Sequence, residues 1–304
     1  MDNEQLESYL KLGEEHSYIL EQMRRKIEPG ASVLDLVEES ERLVRERGYS
    51  LAFPTNLSIN EVAAHYTPFP GDELRIPETG LIKLDMGSHL EGWIVDAARS
   101  VALDEKYEEM VQVAREALDR AIERMIPGSK IREVSEAIYD TIVSAGYKPI
   151  RNLTGHMVRA YELHAGVEVP NVPTGRSMGY RIKDGDIFAI EPFVTFPEAR
   201  GYVVPLGEPL IFSLGRKKGR TRDEMERRIL KIVEKNYKGL PFCERWLFRE
   251  IGHRVNHALS RLVDKRILIP YPPLVEVSGM MVAQYEDTVL VTADGPLRLT
   301  GEGD

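Results

Sequence analysis

Apolar and polar positions along the chain follow two periods, and the switches between them mark out its elements. From about Leu6 to Lys26, and again from about Ser32 to Arg47, apolar side chains recur at helical spacing, the first stretch ending at Pro29-Gly30 and the second at Gly48-Tyr49. The stretch Leu81–Ala98 changes to alternation in two runs joined by turn residues, the pattern of a β-hairpin. A further helical pattern (Ile131, Val134, Ile138, Ile142) follows Ile126-Pro127-Gly128-Ser129 and ends in Gly146-Tyr147. Pro29, Gly30, Gly48 and Tyr49 thus recur 98 residues later as Pro127, Gly128, Gly146 and Tyr147, four matches in one register, which points to a duplicated half. In the first half Asn56-Leu57-Ser58 leads to His65 and the hairpin; in the second, Asn152-Leu153-Thr154-Gly155-His156 leads to the strand Asp186–Glu191. From roughly Val204 to Tyr271 the texture becomes helical, with patterns at Asp223–Lys235 and about Cys243–Val263, before strand character returns in Leu274–Gly279 and Met281–Thr292. The tail from Asp294 reads as a final strand and a loose end. The expected class is α/β (α+β), divided as 1–204, a helical insertion at 205–270, and 271–304.

Two acids interrupt the hairpin. Leu81, Lys83 and Asp85 share one strand face, as do Ile94 and Asp96. A turn centred on Leu90-Glu91 puts the two aspartates directly opposite, and one centred on Glu91-Gly92 makes them diagonal; in either register their β-carbons stand within roughly 4.5–8 Å. Two like charges that close cannot both stay ionised in a dry site without a counter-charge. Strand-end carboxylates facing water would look the same, so the decision rests on whether the chain offers more donors in similar settings. Glu191 interrupts an apolar run just before Pro192, Glu286 lies in the β-rich run Met281–Thr292, and His156 follows a glycine in strand-like sequence.

Composition narrows the chemistry. The chain has 304 residues, 42% hydrophobic and 29% charged, enough for a sizeable core, and its net charge of −9 disfavours nucleic acid as a main partner. The acidic start Met1-Asp2-Asn3-Glu4 does not read as a signal peptide and no run approaches a membrane span, so the expected location is cytoplasmic, away from membranes. Cys243 is the single cysteine, so a metal would have to be held by carboxylates and histidines. Asp85, Asp96, His156, Glu191 and Glu286 suit a pair of hard or borderline divalent cations, and cobalt, manganese, iron or zinc would each fit such a set. A two-metal site about 3.5–4 Å across can hold a water, lower its pKa and polarise a carbonyl, which is hydrolytic chemistry. His253 and His257 have the spacing of a zinc-protease helix, but Arg254-Val255-Asn256 between them lack the glutamate that chemistry needs, and they read as structural or surface residues. The run Arg216–Arg222 reads as a solvated loop. His16 and His89 carry no signal.

Taken together, Phe53-Pro54-Thr55-Asn56, Asn60–Pro68 around His65, Leu84-Asp85-Met86-Gly87 with Asp96, Asn152–His156, Leu163-His164-Ala165-Gly166, Ala189–Phe193 and Ala283–Glu286 make the chain resemble the methionine aminopeptidases, specifically their type 2, archaeal-like branch, through essentially its whole length. The resemblance implies the pita-bread fold with a pseudo-twofold repeat, the helical insertion being the feature that separates type 2 from type 1. It implies two divalent metal ions, with Asp96 and Glu286 bridging them, Asp85 completing one, His156 and Glu191 the other, and Glu191 acting as base. His65 and His164 match the family histidines that contact the scissile amide and the intermediate. Phe53, Pro54, Asn56, Leu163 and Phe193 match positions around the methionine side chain. The implied activity is removal of the initiator methionine from nascent chains whose second residue is small and uncharged, by a monomer in possible transient contact with the ribosome. Where the family usually reads Glu-His-Thr this chain reads Glu286-Asp287-Thr288. Strand alternation turns Asp287 away from the metals, so only a small effect is expected. Two rivals remain on these residues: a non-catalytic interaction protein, against which the complete ligand set argues, and a proline-directed peptidase, against which the Asn56 and His65 motifs and the insertion argue.

Overall fold

The computed structural model describes residues 3–215, 219 and 221–301. Helices at Asn3–Arg24 and Val33–Glu46 open the chain, and a second pair follows at Glu108–Ile122 and Ile131–Ser144. Val33–Glu46 and Ile131–Ser144 have 14 residues each and keep the 98-residue offset. The repeat extends to the bonds around them. Gly30 and Gly128 both take positive φ (81° and 94°), and each has its carbonyl bonded by an arginine of its own half, Arg75 at 2.8 Å and Arg181 at 3.0 Å. That backbone conformation is costly for side chains with a β-carbon, which is why Pro-Gly marks both half-starts in the sequence.

The main path of an eleven-stranded sheet runs Ser50–Leu51, Leu81–Leu90, Trp93–Ala102, Val282–Thr292, Ile187–Ile190, Thr154–Met157, Glu168–Pro170, with antiparallel neighbours. The long strand Val282–Thr292 is the seam: first-half strands lie on one side, second-half strands on the other. The helix Asn3–Arg24 packs on the hairpin and Glu108–Ile122 on the long strand. Their cores take Ile82, Leu84, Met86 and Ala97 in one half, and Ala283, Tyr285, Val289 and Val291 in the other. Because neighbours on a strand point to opposite faces, Asp85, Asp96, Gln284, Glu286 and Thr288 are turned away from the helices. The hairpin closes on Glu91-Gly92, with Leu90 paired to Trp93 and Asp85 to Ala98, so the two aspartates are diagonal neighbours.

Between 205 and 270 the strands Ile211–Leu214, Phe242–Cys243 and Leu268–Tyr271 form a small sheet beside three helices with a core of their own, including Ile229, Val233, Trp246 and Leu259. The single helical pattern expected over Cys243–Val263 is two helices, Glu244–Ile251 and Asn256–Asp264. Gly252 ends the first at φ 88°, and the Glu244 carboxylate reaches across to accept the Val255 and Asn256 N–H groups at 2.8 and 3.0 Å, capping the second. Arg216–Lys218 and Arg220, in the run read as a solvated loop, lie outside the described residues, as does Glu302–Asp304 of the tail.

Candidate metal centre

The face of the sheet turned away from the helices collects acids from three strands. Asp96, His156 and Glu286 are all buried and offer one ligand atom each within 4.8 Å of one another. His156 Nε2 stands 3.6 Å from Asp96 Oδ2 and 3.8 Å from Glu191 Oε1. Gln284 Nε2 donates to Glu286 Oε2 at 3.1 Å and, more weakly, to Glu191 Oε2 at 3.4 Å, tying the two glutamates together. Asp85 joins them across the hairpin diagonal and pairs directly with Asn56. Glycines let these strands close up: a β-carbon at Gly155 would lie 2.5 Å from the Ala189 carbonyl beside His156, and one at Gly87 would lie 2.1 Å from the Phe53 ring.

The electrostatics are those of a site short of positive charge. Burial raises Asp85 to about 7. Asp96 is raised by burial and by Asp85, Glu191 by burial and by Asp96 and Asp85, and Glu286 by burial and then by Asp96, Glu191 and Asp85. Asp85 Oδ1 and Asp96 Oδ1 are buried without a hydrogen-bond partner among the described residues. Burial and the adjacent His164 lower His156 well below the usual imidazole range, keeping it in the neutral form that binds metals. Crowded carboxylates with orphaned oxygens and a neutral imidazole fit divalent cations.

His164 lies edge-on to His156, ring centroids 4.4 Å apart, and burial lowers its pKa as well. His65 has a left-handed backbone, φ 67°; burial and His164 push its imidazole down to about 4, against the Pro272 backbone bond, so it is neutral near pH 7. Phe53 and Leu163 belong to one apolar cluster, with Val158 and Leu240, while Phe193 packs in another with Ala63, Ile150 and Val282. Pro54 accepts a bond from Asn56 Nδ2 at 2.7 Å. Asp287 faces away from the acids as expected, but its setting is not that of a bystander. It is fully buried and accepts bonds from Arg99 at 2.9 Å, Arg298 at 2.8 and 2.6 Å and Thr300 at 2.7 Å. His253 lies in the break between the two helices and His257 in the helix Asn256–Asp264, both exposed, so they share no helix face. His16 is buried against Ser88, and His89 accepts the Gly92 N–H.

Three neighbours of the site were not singled out for a role from the sequence. Tyr271, at the end of the strand Leu268–Tyr271, sets its ring edge-on to His65 at 5.7 Å, and nothing local in the sequence marks it. Asn171 donates to the Leu153 and Glu191 carbonyls at 3.0 and 3.1 Å and accepts the Phe193 N–H at 2.6 Å, clamping the Glu191–Phe193 segment. Gln284 lies two residues before Glu286, and strand alternation was the signal that could have found it.

A profile described as Metallopeptidase family M24 matches residues 7–293. The methionine aminopeptidase of Thermococcus kodakarensis is 43% identical over 291 residues, covering 95% of this chain and 97% of that protein. Among solved structures, methionine aminopeptidase from Thermotoga maritima superposes with a TM-score of 0.71 at 25% identity, covering 99% of this chain and 98% of that one. A thermophilic Arx1 superposes with a TM-score of 0.85 at 15% identity, over 100% of this chain and 92% of that one, a likeness of fold alone.

Proposed function

The chain belongs to metallopeptidase family M24, among its methionine aminopeptidases, and from that premise we propose how its residues carry out metal-dependent removal of an N-terminal methionine. The observation that carries the reading is the convergence of Asp96, His156 and Glu286, from three separate strands, within 4.8 Å. Asp85, Asp96, His156, Glu191 and Glu286 would hold two divalent cations between them, with Asp96 and Glu286 as the ligands common to both, Asp85 serving one and His156 and Glu191 the other. Cations held there would supply Lewis acidity toward the scissile carbonyl and would acidify a water near neutral pH. Glu191 takes a proton at its carboxylate and returns it to the leaving amine. His65 and His164, both held neutral by burial, present imidazole nitrogens to the scissile amide and its tetrahedral successor. Phe53, Pro54, Asn56, Leu163 and Phe193 enclose the methionine side chain, an apolar slot suited to an unbranched thioether.

The substrates in this reading are nascent chains with a small, uncharged second residue, met by a cytoplasmic monomer in transient contact with the ribosome. No helix among the described residues is long and apolar enough to cross a membrane. Residues 205–270 are read as an insertion, supported by their own small sheet and core. Asp96→Ala and Glu286→Ala test the site: each should abolish turnover and reduce bound metal by elemental analysis, and full activity in either would remove the shared-ligand assignment.

A further inference from the structure

The strands that carry Asp96 and Glu286 pair at Tyr285–Arg99 and Glu286–Ala98 and then part, the long strand pairing with Ile187–Ile190 from Asp287 onward. Beyond that fork no ladder joins Asp96 to the long strand. Its backbone bonds there go instead to the hydroxyl of Thr288, which accepts the Asp96 N–H at 2.7 Å and donates to the Asp96 carbonyl at 2.8 Å. Thr288 is itself pinned. Its N–H donates to Thr300 Oγ1 at 2.9 Å, its carbonyl accepts the Leu299 N–H at 2.8 Å, and the Thr300 hydroxyl donates to Asp287 Oδ1 at 2.7 Å. Thr288 and Thr300 are both buried.

The carboxylate of Asp96 has little else to aim it. Its Oδ1 has no hydrogen-bond partner among the described residues, whereas Glu286 is held by Gln284. Its direction therefore follows from the backbone that bears it, which the ladder to Leu81–Leu90 holds on one edge and the Thr288 hydroxyl alone holds on the edge facing the long strand. We propose that Thr288 is a positioning residue for Asp96: its hydroxyl replaces the missing ladder bonds at the fork and aims the Asp96 carboxylate at His156 and Glu286, with Thr300 holding Thr288 in register. The proposal rests on the reading of Asp96, His156 and Glu286 as metal-holding residues.

Valine matches threonine in shape without the hydroxyl, and serine keeps the hydroxyl without the methyl, so the two substitutions separate hydrogen bonding from packing. The full-length protein, stripped of metal with a chelator, is titrated with Mn2+ in a calorimeter, without substrate. Thr288→Val should bind Mn2+ at least about tenfold more weakly than wild type, the scale on which residues supporting metal ligands act. Thr288→Ser should stay within about threefold of wild type. Thr300→Val, one bond further out, should fall between them, and it carries the test if Thr288→Val does not fold. Wild-type affinity in a folded Thr288→Val, or in Thr300→Val if that variant alone folds, overturns the proposal, as does a Thr288→Ser as weak as Thr288→Val. A wild-type protein that takes up no Mn2+ instead overturns the site reading beneath it.

Discussion

Replacing Glu41 with alanine should cost about 3–5 kcal/mol of stability, the range for breaking a buried ion pair by removing one partner. Glu41 is fully buried on the helix Val33–Glu46. Its carboxylate accepts Arg245 Nη1 and Nη2 at 2.8 and 2.7 Å and Trp246 Nε1 at 2.8 Å, all from the helix Glu244–Ile251. Arg245 is 2% exposed, and its other contacts among the described residues are neutral and long, Thr67 Oγ1 at 3.2 Å and the Pro68 carbonyl at 3.3 Å. Losing the carboxylate removes three charge-assisted bonds and strands a buried guanidinium, the situation in which breaking a buried pair costs most. Replacing both partners, as in Glu41→Leu with Arg245→Met, should be far milder, within about 1–2 kcal/mol of wild type, because no charge is left behind. Urea unfolding followed by circular dichroism reports the whole chain, and Trp246 fluorescence reports the cluster around Ile229, Val233 and Leu259. The reasoning fails if Glu41→Ala loses less than about 1 kcal/mol, or if the single substitutions simply add in the double mutant.

Asp287→Ala should cost about 3 kcal/mol in the same assay, since its carboxylate serves both Arg99 and Arg298 at a fully buried position; a loss under about 1 kcal/mol would refute that structural role. His16 gives a pH dependence. Burial, and then the Arg99 charge, push its imidazole down to about 3 against the Met86 backbone bond, so below its unfolded pKa of 6.5 the unfolded chain binds a proton that the folded chain refuses. Stability is therefore full above that pH and falls toward pH 3, by about 2 kcal/mol between pH 7 and 5 from this group; His16→Asn should lose less over that interval, and equal losses would refute the assignment. His65→Ala should keep its metal by elemental analysis while kcat falls about a hundredfold, the scale of losing one donor to the transition state; loss of metal would show that His65 is a ligand.

Much of this arrangement is legible in the sequence wherever a residue breaks a local rule. Asp85, Asp96, Glu191 and Glu286 stand out because acids in apolar strand runs need a reason, and the repeat stands out because Pro-Gly and Gly-Tyr mark conformations that few residues adopt. What stays hidden obeys its local rule. Glu41 reads as one more charge on a helix rich in them, and its partner lies 204 residues away. The break after Gly252 is hidden because the apolar spacing runs on through it and the cap comes from Glu244, at the start of the preceding helix. Thr288 and Tyr271 are ordinary strand residues whose roles depend on which strands part and which meet. Of the residues that the resemblance puts around the methionine side chain, Phe53 and Leu163 share one apolar cluster and Phe193 packs in another, a division that no local pattern in the sequence marks.

The central claim is that a dinuclear metal site built on Asp85, Asp96, His156, Glu191 and Glu286 removes N-terminal methionine, and the direct measurement is hydrolysis of Met-Gly-Met-Met beside Xaa-Pro dipeptides by metal-reconstituted protein, with metal analysis of the same sample. The account predicts methionine release from the tetrapeptide alone, abolished by chelation and restored with about two divalent ions per chain. Cleavage of the Xaa-Pro dipeptides in its place, or tetrapeptide cleavage that survives complete removal of metal, would contradict it.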